Sequence, residues 1–285
     1  MNIIEAQNLT CPIDGEKLSK TDKQFVCRSG HSFDIARQGY VNLLPVQHKR
    51  SKQPGDSKAM VQARNRFLNS GVYEAIADKL TQNVSAHIIN DNALCLLDAG
   101  CGEGYYFDFL LQQLRQQPGE NDLSFIGLDI SKDAIAQATK RNKLTSWVVG
   151  TNRQPPVAEE SVDIIICMFG FFCEQGFHRI LKPGGKIIMV DPGAQHLKEL
   201  REIIYDEIKK TKLSDALQFD EEQFSLLDSE ALQFETVLSD NEQINQLLLM
   251  TPHFYRASKA GREAACKLER LDLTIDVVFK TLQKI

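Results

Sequence analysis

Apolar residues in this chain fall into short runs separated by segments with helical periodicity. Three runs, 124–129, 146–150 and 162–168, have the length of buried strands, and a fourth ends at Asp98. A turn at the start of 181–192 leads into another buried strand. Continuous apolar runs of this kind are typical of parallel strands that are covered on both faces. The pattern therefore predicts an α/β protein with a mostly parallel sheet.

Amphipathic segments predict helices between and around these strands. Tyr105 to Leu114 follows the first strand directly, and 57–68 and 72–83 precede it. We expect the two earlier helices to lie against the domain that the sheet forms. Beyond the last parallel strand we expect a helix from 195 to 210, with His196 in its first turn.

The last part of the chain differs from this parallel pattern. Residues 218–230 are acidic, and they predict a helix or irregular structure without assigned chemistry. Residues 231–238 predict a strand. In 271–282, apolar residues alternate with polar ones, which is the pattern of an antiparallel strand. We therefore expect two late strands to complete the sheet.

The first strand runs into a turn with alternate glycines. Asp98 is followed by Gly100, Gly102 and Gly104, and then by the predicted helix. Glycine lets the backbone approach a ligand closely, and the N–H groups of a helix N-terminus attract a carboxylate or phosphate. The dinucleotide fingerprint G-x-G-x-x-G is not met, because Tyr105 occupies the position of its last glycine. The turn alone leaves two interpretations open, a ligand site or a tight strand-to-helix connection without a ligand.

Chain length and apolar content limit the class of protein. A chain of 285 residues can bury a full core and hold one large domain with a small appendage. The apolar runs are well short of the roughly 20 residues that a membrane-spanning helix needs. The first ten residues, MNIIEAQNLT, lack the basic start and long apolar core of a signal peptide. We therefore expect a cytoplasmic protein that binds no membrane.

Charge is unevenly distributed along the chain. The whole chain carries 33 basic and 38 acidic residues, which by itself disfavours nucleic-acid binding. Residues 10–70, however, hold eleven Lys and Arg against five acids, whereas 71–285 carry a net charge of −10. A basic appendage on an acidic domain is typical of a module that contacts an RNA backbone, although a solvated basic surface has the same composition. The expected phosphate contacts are Lys49, Arg50 and Lys52.

The basic segment contains a candidate zinc site. Cys11 and Asp14 are three residues apart, and Cys27 and His31 are four apart, as in knuckle-type sites that take two ligands from each short pair. A carboxylate at position 14 can bind zinc through oxygen, but it is a harder ligand than thiolate and weakens the site. Two interpretations stay open, a zinc-bound module and a metal-free hairpin of the same shape.

The sheet motifs together resemble the class I methyltransferases that use S-adenosylmethionine. The D-x-G-x-G-x-G turn, the acid Asp129 that closes the second strand, and L-K-P-G-G at 181–185 occur in that family's order. The resemblance implies a Rossmann-like sheet of seven strands, mostly parallel and ending in an antiparallel strand. It implies that Asp129 binds the cofactor's ribose, a role that its spacing from the turn also fits. The implied contacts in the glycine turn are Asp98, Gly100, Gly102, Glu103 and Gly104.

The whole chain resembles one family more closely, the bacterial 23S ribosomal RNA guanine-N1 methyltransferases of the RlmA or RrmA type. The matching segments are HSFDIARQGYVNLLPVQHKR (31–50), PGDS (54–57), RFLNSGVY (66–73), PGAQHLKEL (192–200) and MTP (250–252). The resemblance implies methyl transfer to N1 of a guanine in a hairpin loop of the large-subunit RNA.

This family resemblance also assigns residues. It implies cofactor contacts at Tyr73, Gly102, Glu103 and His196. It implies zinc ligands at Cys11, Cys27 and His31, with Asp14 where the family has a cysteine. The organisation that follows is a zinc-ribbon-like RNA-recognition module (1–45), a basic linker with two helices (46–88) and a methyltransferase domain (89–285). A homodimer would widen the basic surface into an RNA cleft.

The sequence leaves the proton acceptor for guanine N1 unidentified. That nitrogen carries a proton at neutral pH, and it lies on the Watson–Crick edge, so the base must be unpaired or flipped out. Candidate segments are 168–174 and 250–256, whose aromatic residues can stack on a base or pack in the core. Two other functions compete with the RNA methyltransferase. They are a methyltransferase of a small molecule or protein, and a non-catalytic RNA-binding protein.

Overall fold

The fold was established from a computed structural model of the chain. It describes residues 1–48, 51, 53–88, 93–117, 119, 121–205 and 219–285. Among these residues we find no helix whose length and apolar content would let it span a bilayer.

In the described part of the chain, nine strands form one mixed sheet and three form a small antiparallel sheet. The large sheet has the order β11-β12-β10-β9-β6-β7-β8-β5, and β1 also pairs with β7. The small sheet has the order β2-β3-β4. The strands are β1 (Asn2–Ile4), β2 (Ser19–Lys20), β3 (Gln24–Val26), β4 (Ser32–Asp34), β5 (Val41–Asn42), β6 (Leu94–Ala99), β7 (Asp122–Asp129), β8 (Ser146–Val149), β9 (Val162–Met168), β10 (Leu181–Pro192), β11 (Phe224–Leu238) and β12 (Leu271–Lys284).

The helices cover both faces of the large sheet and the ends of its strands. A short 3₁₀ helix, Val46–His48, precedes them. The α-helices are α1 (Lys58–Asn69), α2 (Glu74–Ser85), α3 (Tyr105–Gln116), α4 (Lys132–Ala138), α5 (Glu174–Ile180), α6 (Lys198–Ile204), α7 (Asn241–Met250), α8 (His253–Arg256) and α9 (Lys259–Ala265).

The apolar runs form the centre of the large sheet, as the sequence predicts. Strands β6, β7, β8, β9 and β10 pair in parallel, and their side chains are almost all buried. Strand β12 lies antiparallel to both β10 and β11, which confirms the alternating pattern. The mostly parallel class of sheet is therefore confirmed.

The sheet has more strands than the seven predicted because the N-terminal segment contributes two. Strand β1 pairs in parallel with the start of β7, and β5 pairs in parallel with β8. Leu9, Val41 and Leu43 are buried in the same cluster as residues of the central strands. The N-terminal module therefore shares its core with the larger domain instead of standing apart from it.

Two of the later predictions were wrong in detail. His196 does not lie in the first turn of a helix, because Leu197 takes a left-handed φ of 53° and α6 begins only at Lys198. Of the segment predicted to be helical or irregular, Gln218 lies outside the described residues, and strand β11 already begins at Phe224. Backbone pairing with β12 over its whole length extends β11 into this acidic sequence.

Candidate functional site

A cavity of about 460 Å³ opens at the carboxyl ends of the parallel strands. The ends of β6, β7, β9 and β10 form its floor, and α1 with the segment after α7 closes it from above. Parallel α/β sheets bind their ligands at this edge. Seven of the eight predicted cofactor residues line the cavity, namely Tyr73, Asp98, Gly100, Gly102, Glu103, Asp129 and His196.

The glycine turn has the backbone that its sequence requires. Gly100, Gly102 and Gly104 all have positive φ, at 89°, 56° and 83°. Gly104 is the predicted cofactor residue that does not line the cavity, because it faces the protein interior. A Cβ there would lie 2.8 Å from Cη2 of Trp147 and 3.1 Å from Cβ of Ala138. Gly104 is thus needed for close packing of the turn against β8 and α4.

Two buried carboxyl groups lie at the base of the cavity. Asp129 accepts hydrogen bonds from the backbone N–H groups of Gly102 (2.9 Å) and Ser131 (2.7 Å). Burial raises its pKa, while these two hydrogen bonds lower it. Burial raises the pKa of Asp98 to about 8, and the nearby charge of Asp129 adds to this effect.

Asp98 leaves a hydrogen-bonding atom without a partner. Among the described residues, no group bonds its Oδ1, although the side chain is only 2% exposed. A buried acceptor of this kind is costly unless a ligand supplies the donor. The ammonium group of S-adenosylmethionine is such a donor, so the residues present fit this cofactor.

The side chain of Glu103 is held by two neighbouring side chains, Arg141 and Asn65. Its Oε2 accepts hydrogen bonds from Nε of Arg141 (2.7 Å) and Nδ2 of Asn65 (2.9 Å), and the guanidinium Nη2 lies 2.5 Å away. The carboxylate is 1% exposed, so this ion pair is shielded from water. Glu103 therefore joins α1 to the glycine turn as well as lining the cavity.

His196 and Tyr73 form one wall of the cavity. The backbone N–H of Asp276 donates to Nδ1 of His196 at 3.3 Å, so this nitrogen carries no proton. The proton must be on Nε2, which lies 3.4 Å from Oη of Tyr73. Burial lowers the pKa of His196 to about 4 and raises that of Tyr73. Both groups are neutral near pH 7.

The loop before α1 and the helix itself cover the cavity. Arg64 forms an ion pair with Asp56 and donates from Nη2 to the carbonyl oxygen of Met250 at 2.8 Å. Ser131 donates to the backbone oxygen of Asp56 at 2.8 Å, which fixes the loop to the end of β7. The expectation that helices α1 and α2 lie against the sheet domain is confirmed. Sequence reasoning missed the Asp56–Arg64 pair.

An aromatic side chain lies next to this wall at the end of β9. Phe169 has a left-handed φ of 50°, an uncommon conformation for a bulky residue, and its ring stacks on that of His196 with centroids 6.0 Å apart. The side chain is 38% exposed. Strain of this kind persists where surrounding structure fixes it, and it is concentrated at ligand sites.

The four predicted zinc ligands lie together in the N-terminal module. Nδ1 of His31 lies 3.5 Å from the sulfur atoms of Cys11 and Cys27 and 2.9 Å from Oδ2 of Asp14. The same Oδ2 lies 3.4 Å from the sulfur of Cys27. A tetrahedral zinc ion, with its bonds of about 2.0 to 2.3 Å, holds its ligand atoms ~3.5 Å apart. The four residues therefore fit a zinc site that the carboxylate weakens.

Lys49, Arg50 and Lys52, the predicted phosphate contacts, lie outside the described residues. The segment on either side of them leads from the zinc cluster to the loop over the cavity. Their binding to RNA stays a prediction.

Fold and site together define an S-adenosylmethionine-dependent methyltransferase of class I with a zinc-ribbon module. Comparison with protein families agrees with both parts. Residues 96–185 match the family described as a methyltransferase domain, and residues 9–52 match the zinc ribbon described as RlmA, N-terminal.

Curated relatives identify the family more closely. A protein of Bacillus subtilis is 28% identical, with 94% of both chains covered. A protein of Micromonospora griseorubida is 30% identical, over 74% of this chain and 75% of its own. Both carry the provisional name 23S rRNA (guanine-N1)-methyltransferase. The 23S rRNA (guanine(748)-N1)-methyltransferase of Streptomyces fradiae is 31% identical, over 67% of this chain and 66% of its own. The chain belongs to the 23S rRNA (guanine-N1)-methyltransferase family.

Proposed function

We propose that this protein transfers the methyl group of S-adenosylmethionine to N1 of a guanine in a hairpin loop of 23S ribosomal RNA. One observation supports this function most directly. The Cys/His module supplies strands β1 and β5 to the same sheet whose carboxyl edge carries the cofactor cavity. The basic module and the cavity therefore have a fixed relation, as an enzyme needs if it recognises RNA with one part and reacts with the other.

The cofactor, when bound, supplies an electrophilic methyl group on a sulfonium. We assign its binding to Asp98, Asp129 and the backbone of Gly100 and Gly102. The unpartnered oxygen of Asp98 accepts a hydrogen bond from the ammonium group. Asp129 accepts hydrogen bonds from the ribose hydroxyls in addition to those from its two backbone donors. Gly102 brings the backbone close without side-chain bulk. These contacts orient the methyl group, which is the main requirement of such a transfer.

The acceptor guanine occupies the part of the cavity that Phe169 lines. Phe169, stacked on His196 and partly exposed, offers a face on which a flipped guanine can stack. The neutral wall of His196 and Tyr73 excludes water without placing a charge against the sulfonium. A dry pocket strengthens each remaining polar contact with the base.

The zinc site acts on structure and not on the reaction. Cys11, Asp14, Cys27 and His31 would hold the ion and fix the loops that carry the basic residues. We assign RNA phosphate contacts to Lys49, Arg50 and Lys52, and we place the functional boundaries near residues 45 and 88. We further propose that the enzyme acts in the cytoplasm and that two copies pair to form the RNA cleft.

The decisive experiment maps N1-methylguanine in 23S rRNA from cells with and without this gene. A methyl group on N1 blocks Watson–Crick pairing, so reverse transcription stops one nucleotide before the modified guanine. We expect one stop in a hairpin loop that disappears with the gene and returns when purified protein and S-adenosylmethionine are added to the unmodified RNA.

Two results would contradict this function. An unchanged stop pattern, with cofactor binding measured by calorimetry, would indicate a methyltransferase of a small molecule or protein. An unchanged pattern without cofactor binding would indicate a non-catalytic RNA-binding protein. In the first case methyl transfer should be sought with small molecules and proteins, and neutralising Lys49, Arg50 and Lys52 should then have no effect.

A further inference from the structure

His253 lies in the same cavity as the predicted cofactor residues, and it belongs to 250–256, one of the two candidate segments for the proton acceptor. It begins the short helix α8 directly after Met250–Pro252, and it lines the cavity with them. Its Nδ1 lies 2.8 Å from Oη of Tyr205, a residue behind the cavity wall at the end of α6. Nε2 of His253 bonds no other group in the described part of the chain.

The carboxylates around the cavity are already committed to other contacts. Asp129 accepts two backbone N–H groups, Glu103 is paired with Arg141, and Asp56 is paired with Arg64. Asp98 lies in the glycine turn, where we assign its unpartnered oxygen to the ammonium group of the cofactor. Oδ1 of Asp98 and Oε1 of Glu103 have no partner among the described residues, but both residues are assigned to the cofactor. None of the four carboxyl groups is therefore left to act as the base for the guanine.

His196, Tyr73 and Tyr106, which also line the cavity, carry their protons at neutral pH. Nδ1 of His196 is occupied by the backbone N–H of Asp276, so its ring has no free lone pair. Burial raises the pKa values of the phenols of Tyr73 and Tyr106, which therefore keep their protons at neutral pH. Among the imidazole, phenol and carboxyl groups described in the cavity lining, His253 is thus the one with a ring nitrogen free to accept a proton when its Nδ1–H donates to Tyr205.

We propose that Nε2 of His253 accepts the proton of guanine N1 during methyl transfer, and that Tyr205 positions the imidazole by accepting a hydrogen bond from Nδ1–H. Guanine N1 forms its bond to the methyl carbon while the carbon–sulfur bond breaks and its electron pair stays on sulfur. The N1 proton passes to Nε2, and the imidazolium later releases it to water. This inference rests on the proposed function.

The charges around His253 keep it ready to accept a proton. Its pKa is lowered by burial first, and then by the guanidinium groups of Arg201 and Arg256. His196 also faces it across the cavity, but it is neutral near pH 7. The imidazole of His253 is therefore neutral at physiological pH. Its protonation at lower pH should stop the reaction, because a protonated ring has no lone pair for the guanine proton.

The first test measures the single-turnover rate of methylation of 23S rRNA purified from a strain without the gene. For His253→Gln we expect the rate to fall by about 10² to 10⁴, the usual contribution of a general base. The wild-type rate should decline as the pH falls below 6.5, and the variant should lose this decline. His87→Gln serves as the matched control, because His87 also has a pKa lowered by burial but does not line the cavity.

The second test examines Tyr205, and its first measurement needs no activity. Nitrogen-15 NMR of the histidine rings should find the proton of His253 on Nδ1. In Tyr205→Phe the protonated imidazole of His253 loses the hydroxyl that accepts its Nδ1–H hydrogen bond. The charged form is then less stable, so the pKa of His253 should fall further. The acidic decline in the methylation rate should move to lower pH by the same amount. A purely structural role for Tyr205 would lower the amount of folded protein but leave this pH profile unchanged.

The outcomes separate this inference from the proposed function. If the wild type methylates guanine N1 and His253→Gln reacts at an equal rate, His253 is not the proton acceptor and the function stands. A proton on Nε2 in the NMR spectrum overturns the inference in the same way. If the wild type binds cofactor but methylates no 23S rRNA, both are overturned. Calorimetry should give equal cofactor affinities for the wild type and His253→Gln, so that a lower rate reports on the transfer itself.

Discussion

Asp14 is the residue at which this zinc cluster departs from an ordinary thiolate-rich site. Its side chain lies among two thiols and an imidazole, and hydrogen bonds from Cys11 and from the backbone of Glu16 hold its pKa well below the usual range. A carboxylate that stays ionised can serve as a ligand, but oxygen is a harder donor than sulfur and zinc binds it less strongly. The metal affinity of the module should therefore be limited by this one position.

Replacing Asp14 with cysteine should increase the zinc affinity of the protein. The new thiolate completes a three-cysteine, one-histidine shell, which is a common structural zinc site. Competition with a chromophoric chelator measures the affinity, and the variant should also lose its zinc more slowly to EDTA. Asp22→Cys is the control, since it adds a thiol to the same module at an exposed position. Equal affinities for all three proteins would mean that residue 14 is not a ligand.

His196 shows how burial makes a cavity wall sensitive to pH. Its folded-state pKa of about 4 lies below the ordinary 6.5. Between these two values the unfolded chain binds a proton that the folded protein does not bind. The stability that comes from a neutral His196 is therefore complete above pH 6.5, and it is lost as the pH falls toward 4.

We expect this loss to appear in the difference between the wild type and His196→Gln. From pH 6.5 to pH 4 the free energy of unfolding of the wild type should fall relative to that of the variant by ~3 kcal/mol. Urea denaturation at several pH values gives this difference. The contributions of other titrating groups are the same in both proteins and cancel in this difference. Asp98 is one of them, and its raised pKa alone would make stability increase as the pH falls. A difference that stays constant over this range would show that His196 is accessible to protons in the folded state.

At the scale of elements, the sequence predicted those whose burial produces a clear pattern. Strands β7 and β9 are buried on both faces, so their apolar runs are continuous and their bounds could be read closely. Residues 226–231 of β11 are exposed on both faces, and no periodicity marks them. Strands β1 and β5 have only three and two residues, too few for a pattern. The sequence offered 250–256 as one of two segments for the proton acceptor, but a single histidine after a Thr-Pro pair carries no local signal, and only folding places His253 itself in the cavity.

Helix α4 is linked to the cofactor cavity and to the loop above it by Ser131, the residue that caps its N-terminus. Ser131 caps the helix, with its Oγ accepting from the backbone N–H of Ala134 at 3.2 Å. The same hydroxyl donates to the backbone of Asp56, and the Ser131 N–H donates to Asp129. One serine thus stabilises a helix, holds the covering loop and orients the acid at the end of β7.

Ser131→Ala should therefore affect both stability and ligand binding. We expect a loss of about 1 kcal/mol in the free energy of unfolding, the usual effect of removing a helix cap. Cofactor affinity should fall about three- to tenfold, the net effect of one hydrogen bond, because the covering loop is released. Ser258→Ala is the matched control, since Ser258 caps α9 through Gly261 and lies outside the cavity. If both variants bound the cofactor equally well, the tie between Ser131 and the loop would have no role in binding.

For the whole molecule, the two parts share one core but differ in charge. The N-terminal module places two strands in the large sheet, so it cannot move freely against the cavity. Residues 10–70, which include most of this module, are nevertheless basic, while residues 71–285 carry a net negative charge. An RNA backbone should be attracted to the module and repelled by much of the remaining surface. This asymmetry would direct the RNA toward the edge of the sheet where the cavity opens.

Neutralising Lys49, Arg50 and Lys52 together with glutamine tests this distribution of charge. RNA affinity should fall. A plot of log affinity against log salt concentration should also become shallower, by about 2 to 3 in slope, because the variant neutralises fewer phosphates and its binding releases fewer counterions. Cofactor affinity should not change. Exchanging Lys259, Lys267 and Arg270, all exposed in the acidic part of the chain, alters the net charge equally and is the control. Filter binding to a 23S rRNA fragment over a range of salt concentrations gives both slopes. Equal effects of the two triple variants would mean that overall charge, and not contact at the linker, governs RNA binding.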